Sequence, residues 1–225
     1  MVKIRTCRKR DMALRAALVA LWIGGDVRAD AQPPVFNRPS AIFPAGDPQR
    51  GLTLSTPCIA CHGDAAVTFE QPPFHAPKLR YQRPSSIFYA LQDYREGRRR
   101  SRLMTSIAQR LTDQDMRDLS VYVTAGPNRR RGPATGGPTM ASGWAHEKVG
   151  QVCGLCHGES GLSVMDGYPA LGGQYEDYLD RALRDYQSGI RSNPIMQHVA
   201  RTLTRNDIRR LAIYFAAQPD LEVVK

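Results

Sequence analysis

Two short motifs constrain this 225-residue chain more than anything else in it. They read Cys58-Ile59-Ala60-Cys61-His62 and Cys153-Gly154-Leu155-Cys156-His157, lie 95 residues apart, and are each followed by glycine (Gly63, Gly158). Of the five cysteines, only Cys7 lies outside them. C-x-x-C-H is the signature of covalent c-type haem attachment. Two thiols a helical turn apart can each add to a vinyl group of one porphyrin, and the adjacent imidazole then lies beneath the iron. Paired C-x-x-C could instead hold a structural zinc, and a single C-x-x-C could be a dithiol redox site. Neither explains a histidine directly after both pairs, and the separation of the pairs far exceeds zinc-ribbon spacing. Two covalent haems are therefore expected, one on Cys58 and Cys61 and one on Cys153 and Cys156, with His62 and His157 as proximal ligands.

The N-terminus supports an exported protein. Lys3, Arg5, Arg8, Lys9, Arg10 and Arg15 precede the apolar stretch Ala16 to Ile23, and Ala29-Asp30-Ala31 follows. That is the layout of a secretory signal peptide over 1–31, which implies a periplasmic mature chain. An uncleaved amphipathic anchor is the competing reading, disfavoured by the short apolar stretch and the Ala-x-Ala site. No apolar run approaches the ~18–20 residues of a spanning helix. The segment holds seven basic and three acidic residues, so the formal charge of +10 falls to +6 without it. Such a charge steers towards acidic redox partners and allows peripheral membrane association, but is too modest to argue for nucleic acid, for which no motif is present.

The remainder is a tandem duplication. Residues 77–125 align without gaps on 169–217 at a constant offset of 92, with 18 identities in 49 positions. Between the copies, 126–143 holds five Gly and three Pro with the run Arg129-Arg130-Arg131, and reads as a linker. The expected organisation is a signal peptide (1–31), an extended arm (32–45), a first domain (46–125), the linker (126–143) and a second domain (144–225). Each domain is small for a self-sufficient apolar core, and a buried haem would supply one. The pattern is helical. Ile87, Ala90, Leu91 and Tyr94 follow Pro84 at helical spacing and stop at Gly97; Tyr178, Leu179, Ala182, Leu183 and Tyr186 stop at Gly189. The last helix of each copy opens with a capping-box pattern, Thr112-x-x-Asp115 and Thr204-x-x-Asp207. It continues with Met116, Leu119 and Val123, or Ile208, Leu211 and Phe215, on one face. No alternating strand pattern is evident.

The far side of each iron decides between electron transfer and enzyme chemistry. The mature chain offers Met104, Met116, Met140, Met165 and Met196, with His75, His146 and His198. Reach cannot choose, since even Met165, eight residues past His157, could travel about 25 Å around the haem edge. Symmetry can: Met104 and Met196 are in repeat register, whereas Met116 aligns with Ile208, His75 with Gly167 and His198 with Ser106. Met104 and Met196 are thus expected as the sixth ligands, lying between helical segments, with core packing as the alternative role. Met116 and Met165 are assigned to packing. With both axial positions filled by His and Met, the potential is raised and no site is open to substrate. Pro77 and Pro169 begin matching Pro-x-Leu triplets. Their carbonyls could accept the imidazole Nδ1 proton and fix the ring, unless the prolines merely punctuate a turn.

From about Gly46 onward the chain resembles class I cytochromes c, and as a tandem pair the dihaem cytochrome c4 family. The resemblance rests on both Cys-x-x-Cys-His-Gly motifs, Pro77-x-Leu79 and Pro169-x-Leu171, Met104 and Met196. Leu119-x-x-Tyr122, Leu211-x-x-Tyr214 and Leu171-Gly172-Gly173-Gln174-Tyr175 extend it. It implies two all-α domains, each wrapped around one haem, passing electrons in the periplasm from a cytochrome bc complex towards a terminal oxidase. It also favours Pro77 and Pro169 as acceptors for the proximal histidines. A carrier of this kind has no catalytic residues. The alternative is the electron-accepting subunit of a dehydrogenase, as in the similar dihaem subunit of flavocytochrome c sulfide dehydrogenase; a dihaem peroxidase would need an accessible iron. The chain departs from the family in Leu79-Arg80-Tyr81-Gln82, where glycine is usual, and in Arg95, Arg98, Arg99, Arg100 and Arg102 before Met104. That arginine run either docks an acidic partner or forms a solvated basic loop.

Overall fold

Two short helices, α1 (Pro48–Leu54) and α2 (Thr56–His62), lead through the first motif in the computed structural model, which describes residues 45–63, 68–69, 74–80, 82–125, 143–163 and 165–218. All of these belong to one compact unit, Pro34–Lys225. The expected signal peptide, the arm up to residue 44 and the linker up to residue 142 lie outside the described residues. Asp47 caps α1 by accepting from the backbone of Gln49 and Arg50, and Pro48 starts the helix with φ already set.

Three further helices complete the first repeat: α3 (Pro84–Arg95), α4 (Arg102–Ala108) and α5 (Asp113–Thr124). In the second repeat α6 (Trp144–Lys148), a single π-helical turn (Val149–Cys153) and α7 (Gly154–His157) carry the motif, and α8 (Glu176–Ser188), α9 (Pro194–Arg201) and α10 (Arg205–Ala216) follow. The starts of α3, α4 and α5 recur 92 residues on as the starts of α8, α9 and α10. Local sequence explains the boundaries. Gly97 and Gly189 both take positive φ (77° and 78°) just past α3 and α8, where a side chain would strain the reversal. Both expected capping boxes are present, Thr112 with Asp115 and Thr204 with Asp207, each threonine cap contributing about 1 kcal/mol.

The described residues are all-α apart from one antiparallel ladder of two residues per strand, β1 (Thr68–Phe69) and β2 (Phe74–His75), and an isolated antiparallel bridge between Arg99 and Arg191. Strands so short leave no alternation to read in a sequence.

Each repeat has its own apolar cluster. Phe88, Leu91, Ala108 and Met116 form the first; Ala145, Val149, Leu179, Leu203, Ile208, Leu211 and Phe215 are among the members of the second. The crossing of α1 and α5 is close enough to require glycine: a Cβ at Gly51 would lie 2.2 Å from the Asp118 carbonyl oxygen. Arg50 reinforces it by pairing with Asp115 and Asp118.

Candidate functional site

In the first motif α2 places Cys58 and Cys61 one turn apart and ends on His62. The His62 Nδ1 lies 2.8 Å from the Pro77 carbonyl oxygen. The second motif repeats this, with His157 Nδ1 at 3.0 Å from the Pro169 carbonyl oxygen. A carbonyl only accepts, so Nδ1 must carry the proton in both rings and Nε2 is left as the nitrogen with a lone pair. Burial pushes both imidazoles below the ordinary histidine value, and the bond to the proline carbonyl only partly opposes it. Both rings are therefore neutral at pH 7 and held in one orientation, the state a metal-binding imidazole needs.

The approach to the two motifs differs. Helix α1 stops at Ser55 and α2 restarts, whereas the second repeat passes the same point through the π turn. Both routes present the cysteine pair on one face. Burial pushes the Cys58 and Cys153 thiols up, with Cys61 adding to the effect at Cys58. That is the reverse of the depressed thiolate of a dithiol redox site. Among the described residues no three His, Cys, Asp or Glu side chains gather in a group that could hold a metal ion.

A cavity with mostly apolar walls is lined by all four motif cysteines, His62, His157, Pro77, Pro169, Met104 and Met196. Met104 and Met196 lie in the first turns of α4 and α9, not in loops between helices. Helices this short show too little periodicity to be read from sequence. Their caps were the available signal: Ser101 Oγ accepts from the Met104 N–H at 3.3 Å, and Asn193 Oδ1 from the Met196 N–H at 3.0 Å. Met116, Met165, His75, His146 and His198 are not among the residues lining the cavity. Met116 is fully buried in the first core, as expected, but Met165 is 40% exposed and packs little. His75 instead faces Asp177 across the repeats, its Nδ1 2.8 Å from Asp177 Oδ2.

The boundary between the repeats also lines this cavity, and here the sequence reading missed the principal residues. Gln82 donates to the Ala170 carbonyl (2.8 Å) and accepts from the Ala170 N–H (3.0 Å). Its repeat partner Gln174 does the same to Lys78, accepting from its N–H at 2.9 Å and donating to its carbonyl at 3.1 Å. Gln82 and Gln174 correspond at offset 92, as do Lys78 and Ala170, so one contact is made twice about a pseudo-twofold axis. The shared glutamine was visible in the repeat alignment.

The arginine run is neither a uniform docking patch nor a solvated loop. Arg98 pairs with Asp93 and Glu96, and Arg99 lines the cavity. Arg100 and Arg102 are exposed.

Comparison with known proteins gives this geometry a family. The sequence is 30% identical over 182 residues to a cytochrome c4 of Pseudomonas aeruginosa, covering 76% of this chain and 88% of that protein. The chain belongs to the cytochrome c4 family. A thiosulfate dehydrogenase electron acceptor of Stutzerimonas stutzeri is also 30% identical, over 169 residues that cover 71% of this chain and 77% of that one. Reduced recombinant cytochrome c4 from Pseudomonas stutzeri superposes with a TM-score of 0.59 at 29% identity, over 78% of this chain and 100% of its own. Thiosulfate dehydrogenase from Marichromatium purpuratum superposes with a TM-score of 0.61 at 26% identity, over 76% of this chain and 40% of its own. No protein-family model matches.

As a cytochrome c4-family member the chain is a dihaem electron-transfer cytochrome of two tandem class I cytochrome c folds, with two c-type haems as cofactors. Cys58 with Cys61 and Cys153 with Cys156 fit the two attachment motifs. The donor set suits the group: paired thiols, a neutral imidazole with Nδ1 already committed, and a thioether line one apolar-walled cavity. Among the described residues no helix is long and apolar enough to cross a membrane.

Proposed function

We propose that this cytochrome carries single electrons between respiratory complexes in the periplasm, from a cytochrome bc complex or a dehydrogenase to a terminal oxidase. In this reading residues 1–31 direct export, 32–45 form an arm, and two domains, 46–125 and 144–225, are joined by the linker 126–143. Cys58, Cys61, Cys153 and Cys156 hold the porphyrins as thioethers. His62 with Met104, and His157 with Met196, would hold the two irons.

The observation that carries the reading is the repetition of one constellation: at both sites cysteine pair, proline-anchored histidine and helix-capped methionine line the cavity. When bound, a haem iron with these ligands supplies reversible one-electron exchange at a raised potential. The chain's own part is to keep it so. The Pro77 and Pro169 carbonyls orient the imidazoles and make them better donors. Ser101 and Asn193 fix the first turns that present the methionines. The apolar walls exclude water. With a histidine and a methionine holding each iron, no coordination site would be open to a substrate, and no residue is assigned a catalytic role.

A pyridine haemochrome assay on the exported protein should give two haems per chain. The ferric protein should show a far-red Met-to-iron charge-transfer band from both centres. One haem, or no such band, would overturn the assignment.

A second reading is favoured by the likeness to thiosulfate dehydrogenase electron acceptors: the chain serves as the electron-accepting subunit of a dehydrogenase. Elution from the native host with a dehydrogenase at fixed stoichiometry supports this; elution alone supports the free carrier.

A further inference from the structure

The two proline carbonyls that anchor the histidines belong to peptide units whose other end is held by the opposite repeat. The Pro77 carbonyl shares its peptide plane with the Lys78 N–H, and the Pro169 carbonyl shares its own with the Ala170 N–H. The Lys78 N–H donates to Gln174 Oε1 at 2.9 Å, and the Ala170 N–H to Gln82 Oε1 at 3.0 Å. On the far side of the same peptides His62 Nδ1 lies 2.8 Å from the Pro77 oxygen and His157 Nδ1 3.0 Å from the Pro169 oxygen. Two hydrogen-bond relays of one form result: Gln174 to peptide to His62, and Gln82 to peptide to His157. In each the glutamine comes from one repeat and the histidine from the other.

The loops that carry these peptides are not alike, running 15 residues from His62 to Pro77 but 12 from His157 to Pro169. Both still present the same peptide to the same glutamine position. Each glutamine also donates to the carbonyl of the residue it accepts from, at 2.8 Å for Gln82 and 3.1 Å for Gln174, which fixes its amide with the oxygen towards the N–H. The Gln174 oxygen is shared, since the Tyr175 N–H donates to it at 3.2 Å. Gln82 and Gln174 are both buried, so the relays lie out of water, where hydrogen bonds in series polarise one another. Among the described residues the proline carbonyl is what raises the proton affinity of either imidazole against the effect of burial.

We propose that Gln82 and Gln174 are positioning residues, each setting from across the repeat boundary how strongly the other repeat's proximal histidine donates to iron. An N–H that is itself donating polarises its peptide, so the carbonyl accepts more strongly. The tighter bond at Nδ1 makes the imidazole a more basic ligand. A more basic ligand favours ferric iron, so Gln82 lowers the potential of the second-repeat centre and Gln174 that of the first. Movement of one repeat against the other then changes both centres. The inference rests on the haem-ligand reading above.

The test is made on the holoprotein by spectroelectrochemical titration, with Met104→Leu and Met196→Leu assigning each couple to its repeat. Gln82→Leu fills nearly the same space without an amide. At a fixed poise it should raise the reduced-to-oxidised ratio of the second-repeat centre about threefold, about 28 mV for one electron, and move the first-repeat centre far less. Gln174→Leu should give the reverse pattern. In NMR spectra of the ferrous protein the Nδ1 proton of His157 should move upfield in the first variant and that of His62 in the second. Ser85→Ala is the control. It removes another bond across the boundary, from the Gly167 N–H at 3.0 Å, and touches neither relay, so it should move neither centre comparably. Equal shifts of both centres in each leucine variant, an equal shift in Ser85→Ala, or unmoved Nδ1 resonances would reduce the glutamines to packing and overturn the proposal. Haem stoichiometry and the far-red band are measured on every variant. If they are intact while the crossed pattern is missing, only this inference falls; if the wild type lacks them, the haem-ligand reading falls first.

Discussion

Gln82→Ala should loosen the seam between the repeats without touching any cysteine, histidine or methionine of the site. Gln82 is 8% exposed and makes two hydrogen bonds to one residue of the other repeat, at 2.8 and 3.0 Å to the Ala170 carbonyl and N–H. Ala170 is itself buried at 6%, so truncation strands a backbone donor and acceptor away from water. Each lost bond is worth about 1 kcal/mol, and an unsatisfied buried group costs about 1–3 kcal/mol, so the expected loss is about 2–4 kcal/mol. For a chain of this size that lowers Tm by on the order of 10 °C. Calorimetry of the holoprotein measures it. Gln174→Ala removes the symmetric contact and should cost a similar amount, while the double variant should cost less than the sum, because either loss opens the shared seam. A change below 0.5 kcal/mol in both single variants, with haem content unaltered, would refute the idea that these glutamines hold the repeats together.

Met196→Leu, and separately Met104→Leu, should each abolish half of the far-red charge-transfer intensity and lower one potential, checked by absorption and redox titration. Gly51→Ala drives a Cβ to 2.2 Å from the Asp118 oxygen and 2.7 Å from the Tyr122 Cβ; prying α1 from α5 should cost at least about 2 kcal/mol in chemical denaturation. Asp115 and Asp207 are held below the ordinary carboxylate value, chiefly by the Thr112 and Thr204 hydroxyls. A carboxyl depressed in the folded state stabilises above its unfolded pKa, and that stability is lost as pH falls through the folded value. Thr112→Ala with Thr204→Ala should flatten this acid limb in Tm-against-pH curves and cost about 1 kcal/mol per cap near neutrality.

Much of the architecture was readable before any coordinates, because it depends on residues close together or on the repeat. The capping boxes at Thr112 and Thr204 and the stops at Gly97 and Gly189 need only neighbouring residues. Met104 and Met196 were selected by register alone, and the Pro77 and Pro169 carbonyls by their place in matching triplets. Helices α4 and α9 escaped notice because seven or eight residues carry little periodicity.

The arginine run shows where linear reading ends. A string of Arg98, Arg99 and Arg100 looks uniform, yet Arg98 pairs with Asp93 and Glu96 at the end of α3, Arg99 is half-buried in the cavity wall, and Arg100 reaches that wall while staying exposed. What separates them is the second repeat's segment at Ile190 to Ser192, some ninety residues away. The same holds for Gln82 and Gln174, whose value lies wholly in the backbone they meet across the seam. Chemistry carried by adjacent side chains, thiol pair and imidazole, was settled by order along the chain. Which charges are compensated and which buried amides are satisfied was decided only when the repeats packed, because desolvation and hydrogen bonding depend on what surrounds a group in space.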